Sequence, residues 1–177
     1  MASRFERMKG LHIGIFAVQD LVARGGDVAL TIIGAGPEKA NLHEQVSAAG
    51  LSAVTCFKEP VSYPQPFFDF LDRCDVALLT NLSNEQPRLI FDAISRGCIP
   101  LCPDTAPYQA IGLDRTLLYR PGDWRSLSRA IEPLLDIGTR SALREDLLRM
   151  AGKFTISSMH ASRATWVRSL LEARVPK

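Results

Sequence analysis

No apolar run in this chain approaches the ~20 residues that a membrane-spanning helix requires, and no stretch reads as a secretory signal. Neither sign of charge prevails: 21 Lys and Arg face 19 Asp and Glu, for a net +2. That excess is too small to argue for a nucleic-acid partner, and none is expected. Cysteine is scarce. Cys56, Cys74, Cys98 and Cys102 lie in or beside expected strands without a C-x-x-C spacing, the pattern of buried, reduced thiols in a cytosolic protein. His12, His43 and His160 stand far apart with no carboxylate cluster near them, so no metal site is assigned. Internal repeats and low-complexity linkers are absent as well.

What is present is a globular composition, 46% hydrophobic and 23% charged. At 177 residues the chain can bury a core as one domain, or as one half of a two-domain enzyme. Apolar periodicity predicts a buried helix over 10–24, stopped by Gly25 and Gly26. The nearly continuous apolar run 28–33 is typical of a parallel strand covered on both faces. A glycine turn at 34–37, a helix over 38–49 and a strand over 53–57 follow. A short helix over 64–73 turns Phe67, Phe68, Phe70 and Leu71 to the sheet. Strands over 76–79, 99–101 and 116–119 alternate with a helix after residue 83 and a short one near Tyr108. Asp123 is the expected N-cap of a helical tail, with helices over 125–135, 141–150 and 157–173. This order predicts an α/β fold: a doubly wound parallel sheet, helices on both faces, and a helical C-terminal tail. Such a sheet normally begins with a strand. Here the first helix starts within about ten residues of Met1, so the chain reads as cut after a strand that belongs before Arg4. The expected division is a ligand-binding Rossmann-like domain over 1–153 and a terminal helix over 154–177.

Residues 83–100 carry the densest chemistry: polar turn, amphipathic helix, glycine stop, strand. Ser83 and Asn84 are good helix caps and Pro87 suits a first turn. The amides near Leu89 and Ile90 would then be free to meet a phosphate at the positive end of the helix dipole; an ordinary well-capped helix reads the same way. Asp92, further along that helix, can accept both hydroxyls of a ribose, or pair with Arg88 or Arg96 four residues away. The cluster Arg4, Arg7 and Lys9 sits at a strand-to-helix junction on the crevice edge of such a sheet. There it can hold a diphosphate, or be a solvated basic terminus. Gly34-Ala35-Gly36-Pro37 opens a helix after a strand as a dinucleotide turn does, but lacks a third glycine. It is a tight structural turn or a place where backbone approaches a ligand.

These pieces, in this order, resemble the C-terminal, donor-binding domain of family 4 (group 1) glycosyltransferases of the GT-B fold. The resemblance runs from about Arg4 to Leu135. Its landmarks are 4–10, Ile32-Ile33-Gly34-Ala35-Gly36-Pro37, Cys74-Asp75-Val76-Ala77-Leu78-Leu79, 85–100, and Leu118-Tyr119-Arg120-Pro121-Gly122-Asp123. It implies retaining transfer of a sugar, of hexosyltransferase type, from a nucleotide-diphosphate sugar to an acceptor hydroxyl in bacterial-type glycan or polysaccharide assembly. No metal or other cofactor is implied. The family's diphosphate-holding Arg and Lys fall on Arg4 and Lys9. Its glutamate pair, separated by seven residues, falls on Asn84 and Asp92, or on Glu85 and Asp92 if the loop is one residue shorter. Catalytic positions are thus Arg4, Lys9, Asn84 and Glu85; donor-binding positions are Gly34, Gly36, Leu89, Ile90 and Asp92. Base recognition is expected from backbone groups near 57–61. The partners implied are the donor, a glycan or lipid-linked acceptor, and an N-terminal GT-B domain in cis or trans, without which this part is expected to be inactive. The implied location is cytoplasmic, peripheral to the membrane through the other half. A catalytically inactive nucleotide-sugar binding or interaction module is the alternative, and a related epimerase or phosphorylase a third reading.

Overall fold

The computed structural model describes residues 1–85 and 88–173. Strands and helices alternate as the apolar pattern requires: α1 Leu11–Ala23, β1 Leu30–Ile33, α2 Lys39–Ala48, β2 Thr55–Lys58, α3 Gln65–Leu71 and β3 Val76–Leu78. Then come α4 Leu89–Ser95, β4 Ile99–Pro103, α5 Ala106–Gln109 and β5 Leu118–Tyr119. The tail is α6 Trp124–Ile131, α7 Ile137–Ala151 and α8 Ile156–Ala173.

All strand pairs are parallel, in two hydrogen-bonded pieces: β1 with β2, and β3-β4-β5. Residues 1–3 lie between the pieces. Ala2 bridges Ile33 in parallel, Ile33 N donates to Met1 O at 2.9 Å, and Ser3 N donates to Ile33 O at 3.1 Å. They stand where the strand expected before Arg4 would end. The sheet order β2, β1, residues 1–3, β3, β4, β5 is that of a doubly wound fold. It sets the carboxyl ends of all strands on one edge.

Pro100 sits inside β4, where a proline normally breaks a ladder. Here it is tolerated because alternate residues face alternate neighbours. Ile99 N donates to Asp75 O and Leu101 O accepts from Leu79 N, so the odd positions serve β3. Pro100 faces the β5 side, where pairing begins only at Cys102. The core is continuous from Phe5 and Ile15 through Ile32, Ile90 and Leu101 to Leu127 and Leu147.

Some expectations shift. α4 starts at Leu89 with Arg88 before it in helical conformation and no side-chain cap, so Ser83 and Asn84 do not cap it. The reason is tertiary: the Asn81 amide donates to Ser83 O (2.9 Å) and Glu85 O (3.1 Å), holding 83–85 as a loop. The expected first-turn Pro87 lies, with Gln86, outside the described residues. In α3 only Leu71 is buried; Phe67, Phe68 and Phe70 are half-buried. α7 begins four residues ahead of the expected 141, because Asp136 caps it by accepting from Thr139 N at 2.7 Å. Asp123 caps α6 as expected, accepting from Arg125 N and Ser126 N. Cys98 and Cys102 are buried and burial raises their thiol pKa values, Cys98 to about 12. Cys56, on the half-covered strand β2, is exposed, against the expectation of burial. α8 packs against the turn Gly152–Phe154, and residues 160–170 are exposed along its length.

Ile32→Ala should lower unfolding stability by about 2–5 kcal/mol, since Ile32 has no accessible surface. Trp166→Ala, at a side chain 64% exposed, should change it by less than about 0.5 kcal/mol. Urea melts followed by circular dichroism check both; a large loss from Trp166→Ala would show that α8 packs elsewhere.

Candidate functional site

At the carboxyl edge of the sheet the loop 3–10 is bonded on both sides. Towards β1, Phe5 N donates to Ala35 O at 2.8 Å and Glu38 N donates to Phe5 O at 3.0 Å. This close approach is what the two glycines of the turn permit. Gly34 and Gly36 have φ of 150° and 152°, and a Cβ on them would stand 1.9 Å from Ser3 O and 2.6 Å from Phe5 O. Towards β3, Thr80 Oγ1 donates to Lys9 O at 2.9 Å and Leu82 N donates to Met8 O at 2.8 Å. Below this seam the buried Tyr108 hydroxyl donates to Asn81 Oδ1 at 2.6 Å, and so fixes the amide that shapes 83–85.

These loops surround a cavity of about 810 Å³, within the range of small-molecule sites. Arg4, Lys9, Gly34, Leu89 and Asp92 line it, with Pro60, Val61, Tyr63 and Phe67 on a further side. Each cation has a carboxylate at hand. Lys9 is ion-paired with Glu85, whose carboxyl that ammonium holds below its ordinary range. Arg4 pairs with Glu6 at 3.0 Å, largely exposed, so water screens it. Asp92 is the buried carboxylate of the site. Its Oδ1 lies 3.5 Å from the Tyr63 hydroxyl and its Oδ2 3.8 Å from Arg88 Nε, and the Arg88 guanidinium lies 4.3 Å over the Tyr63 ring. Burial outweighs both partners and raises the Asp92 pKa.

The arrangement can hold an anion between Arg4 and Lys9 with a carboxylate deeper along the wall to accept hydroxyl donors. Among the described residues, no cluster of His, Cys, Asp or Glu could hold a metal ion, and no helix is long and apolar enough to cross a membrane.

Over residues 1–152 the sequence matches the family "Glycosyl transferases group 1". The chain belongs to the group 1 glycosyltransferases. Solved structures share its fold. It is similar to Anabaena HepE in complex with UDP at TM-score 0.80 and 20% identity, covering 94% of this chain and 47% of that one. It is similar to the catalytic domain of cholesterol-α-glucosyltransferase from Helicobacter pylori at TM-score 0.77 and 21% identity, covering 88% and 96%. The C-terminal domain of the group 1 protein LpcC from Francisella tularensis matches at TM-score 0.77 and 15% identity, covering 87% and 83%. The chain thus spans about half the length of the HepE chain. No curated protein matches it. Its α/β architecture is the Rossmann-like half of a GT-B glycosyltransferase.

In this glycosyltransferase the structure brings together Arg4, Lys9, Gly34, Leu89 and Asp92 around one cavity. Glu85 joins them through Lys9. Asn84 and Glu85 are both exposed and neither lines the cavity; Glu85 is the one that pairs with Lys9. Gly36 serves the packing of Phe5, one step away from the cavity wall. The Ile90 side chain is in the core, so it can offer a ligand only backbone. Of the two arginines that could pair with Asp92, Arg88 is near it, while Arg96 binds Asp72 on α3's far end, Nε to Oδ1 at 2.7 Å. Of the segment 57–61, Pro60 and Val61 reach the cavity, whereas Phe57 stacks on His43 at 3.8 Å. Tyr63, Asn81 and Tyr108 were not singled out by sequence; only Asn81, close behind the apolar run 76–79, carried a local signal.

A carboxyl whose folded pKa is raised binds its proton more tightly when folded, so its stabilising share is present in acid and lost as pH rises through that pKa. Asp92→Asn should therefore raise Tm at pH 7, and the gain should fade as pH drops through the folded pKa of Asp92 towards and below the ordinary 3.8. Thermal melts from pH 7 to pH 3 check this. A variant less stable than the parent at every pH would show that Arg88 and Tyr63 outweigh the cost of burial.

Proposed function

We propose that this chain is the donor-binding part of a retaining family 4 glycosyltransferase that transfers a hexose from a nucleotide-diphosphate sugar to an acceptor hydroxyl. The observation that carries the reading is the single cavity in which Arg4, Lys9 and Asp92 meet, at the carboxyl edge of a doubly wound sheet. Arg4 and Lys9 hold the diphosphate and offset the charge that grows on it as the glycosidic bond breaks. That is a role a bound metal would otherwise fill, and the reading includes none. Asp92 accepts the ribose hydroxyls, one methylene shorter than a glutamate and backed by Tyr63. Glu85 is placed beside Lys9 to reach the sugar. The base lies against Pro60, Val61 and Phe67.

The neighbour solved with UDP makes UDP the first nucleotide to test. The reading includes a glycan or lipid-linked acceptor, contributed with an N-terminal domain in cis or trans, and turnover only when that domain is present. It places the chain in bacterial-type polysaccharide assembly on the cytoplasmic side. The second reading, an inactive nucleotide-sugar binding module, is favoured by the exposed Asn84 and the short Asp92.

Calorimetric titration of the chain with UDP, GDP and ADP without metal should give one nucleotide at micromolar to sub-millimolar affinity. No binding by the folded chain would contradict the donor site. Lys9→Ala and Arg4→Ala should each weaken UDP by roughly 10- to 150-fold, the equivalent of about 1.5–3 kcal/mol per charge-assisted bond, and leave uridine nearly unchanged. Equal loss for both ligands would remove the diphosphate role.

A further inference from the structure

The segment 80–82, just after β3, holds both partners of the Lys9–Glu85 ion pair. Thr80 and Leu82 bind the loop that carries the cation, at Lys9 O and Met8 O. Asn81, between them, binds the loop that carries the anion: its amide donates to Ser83 O at 2.9 Å and to Glu85 O at 3.1 Å. The Glu85 side chain is 47% exposed, so its carboxylate is placed by its backbone more than by packing. Where that backbone stands therefore matters.

Asn81 is buried, and its amide has to find every partner inside the protein. Both of its N–H groups are spent on the loop. Its Oδ1 accepts from the Tyr108 hydroxyl at 2.6 Å. Only one orientation of the amide works, because turned over it would set Oδ1 against the carbonyl oxygens of Ser83 and Glu85. Tyr108 is fully buried on α5, beyond β4. One core hydroxyl thus ties an exposed carboxylate to a part of the fold that the loop itself cannot shift.

We propose that Tyr108 is a positioning residue for the donor sugar. Acting from the core through Asn81, it sets where the Glu85 carboxylate stands beside Lys9, and hence which sugar hydroxyls that carboxylate can meet. The inference rests on the donor-site reading and adds to it a residue that governs its selectivity. Removing the hydroxyl leaves Asn81 Oδ1 buried without a donor, which frees the amide and loosens 83–85. Tyr119 supplies the contrast. It is equally buried, and its hydroxyl donates to Leu79 O at 2.9 Å. It supports the end of β3 but lies outside the path from Tyr108 to Glu85.

Carboxyl-carbon NMR of the full chain, with Glu85 assigned through Glu85→Gln, follows the placement directly. Lys9 holds the Glu85 carboxyl below its ordinary 4.5, and Arg4 adds to this from further off. Tyr108→Phe should return it at least halfway, whereas Tyr119→Phe should leave it in place. Asn81→Leu should act as Tyr108→Phe does, and the double variant should add nothing to either. Asn81→Leu also carries the test if Tyr108→Phe does not fold. Calorimetry with UDP-glucose, UDP-galactose and UDP-N-acetylglucosamine then reads selectivity. The parent should separate the three by about tenfold or more, the worth of one hydrogen bond to a charged group. In Tyr108→Phe the spread should shrink to about threefold, with UDP itself changed by less than that; Tyr119→Phe should keep the parent's spread. An unmoved Glu85 titration in Tyr108→Phe and Asn81→Leu would overturn the proposal. So would a parent without spread, or a spread that survives in Tyr108→Phe. If no nucleotide binds, the donor-site reading falls and the role in sugar choice falls with it, while the titration still decides whether Tyr108 places Glu85.

Discussion

The loop 3–10 is clamped between two neighbours, and the site depends on that clamp. The turn after β1 grips it through Ala35 and Glu38, at a distance only glycines at 34 and 36 permit. The loop after β3 grips it through Thr80 and Leu82. A flexible basic segment loses conformational entropy when it closes on an anion. Held in this way, Lys9 has lost most of that freedom before a ligand arrives. Asn81 and Tyr108 extend the clamp downwards into the core, so the position of Glu85 is linked to packing around β4 and β5.

Within the clamp, charge is balanced but not quenched. Lys9 has Glu85, Arg4 has Glu6, and Arg88 stands between Asp92 and the Tyr63 ring. A diphosphate entering between Arg4 and Lys9 would exchange one set of anionic partners for another, which limits the desolvation that binding demands. Asp92 is different in kind. It is buried at a net cost to its ionised form, so its ionised carboxylate does not stabilise the fold. A surface salt bridge to Arg88 alone does not explain the burial.

Most of the fold was legible because parallel strands buried on both faces read as unbroken apolar runs, and because glycine stops and Asp123 mark helix ends. The meeting of Arg4, Lys9 and Asp92 was legible too, since a doubly wound sheet places every strand's carboxyl end on one edge. What could not be read was tertiary. Ser83 and Asn84 carry ordinary cap chemistry, yet Asn81 takes the loop's carbonyls and the helix begins later. Tyr63 reaches Asp92 across 29 residues, and no local pattern announces that. That Glu85, and not the neighbouring Asn84, pairs with Lys9 is a fact of three dimensions. The short stretch 1–3 pairs with β1 although nothing local in its sequence marks a strand.

The central claim is that the clamped edge is a nucleotide-diphosphate site. Hydrogen exchange of the full chain, with and without saturating UDP, tests it most directly. The account predicts slowed exchange at residues 4–10, 34–36 and 88–92, with the rest of the sheet unchanged. Unaltered exchange at those three segments in a folded chain, or protection confined to another surface, would contradict it.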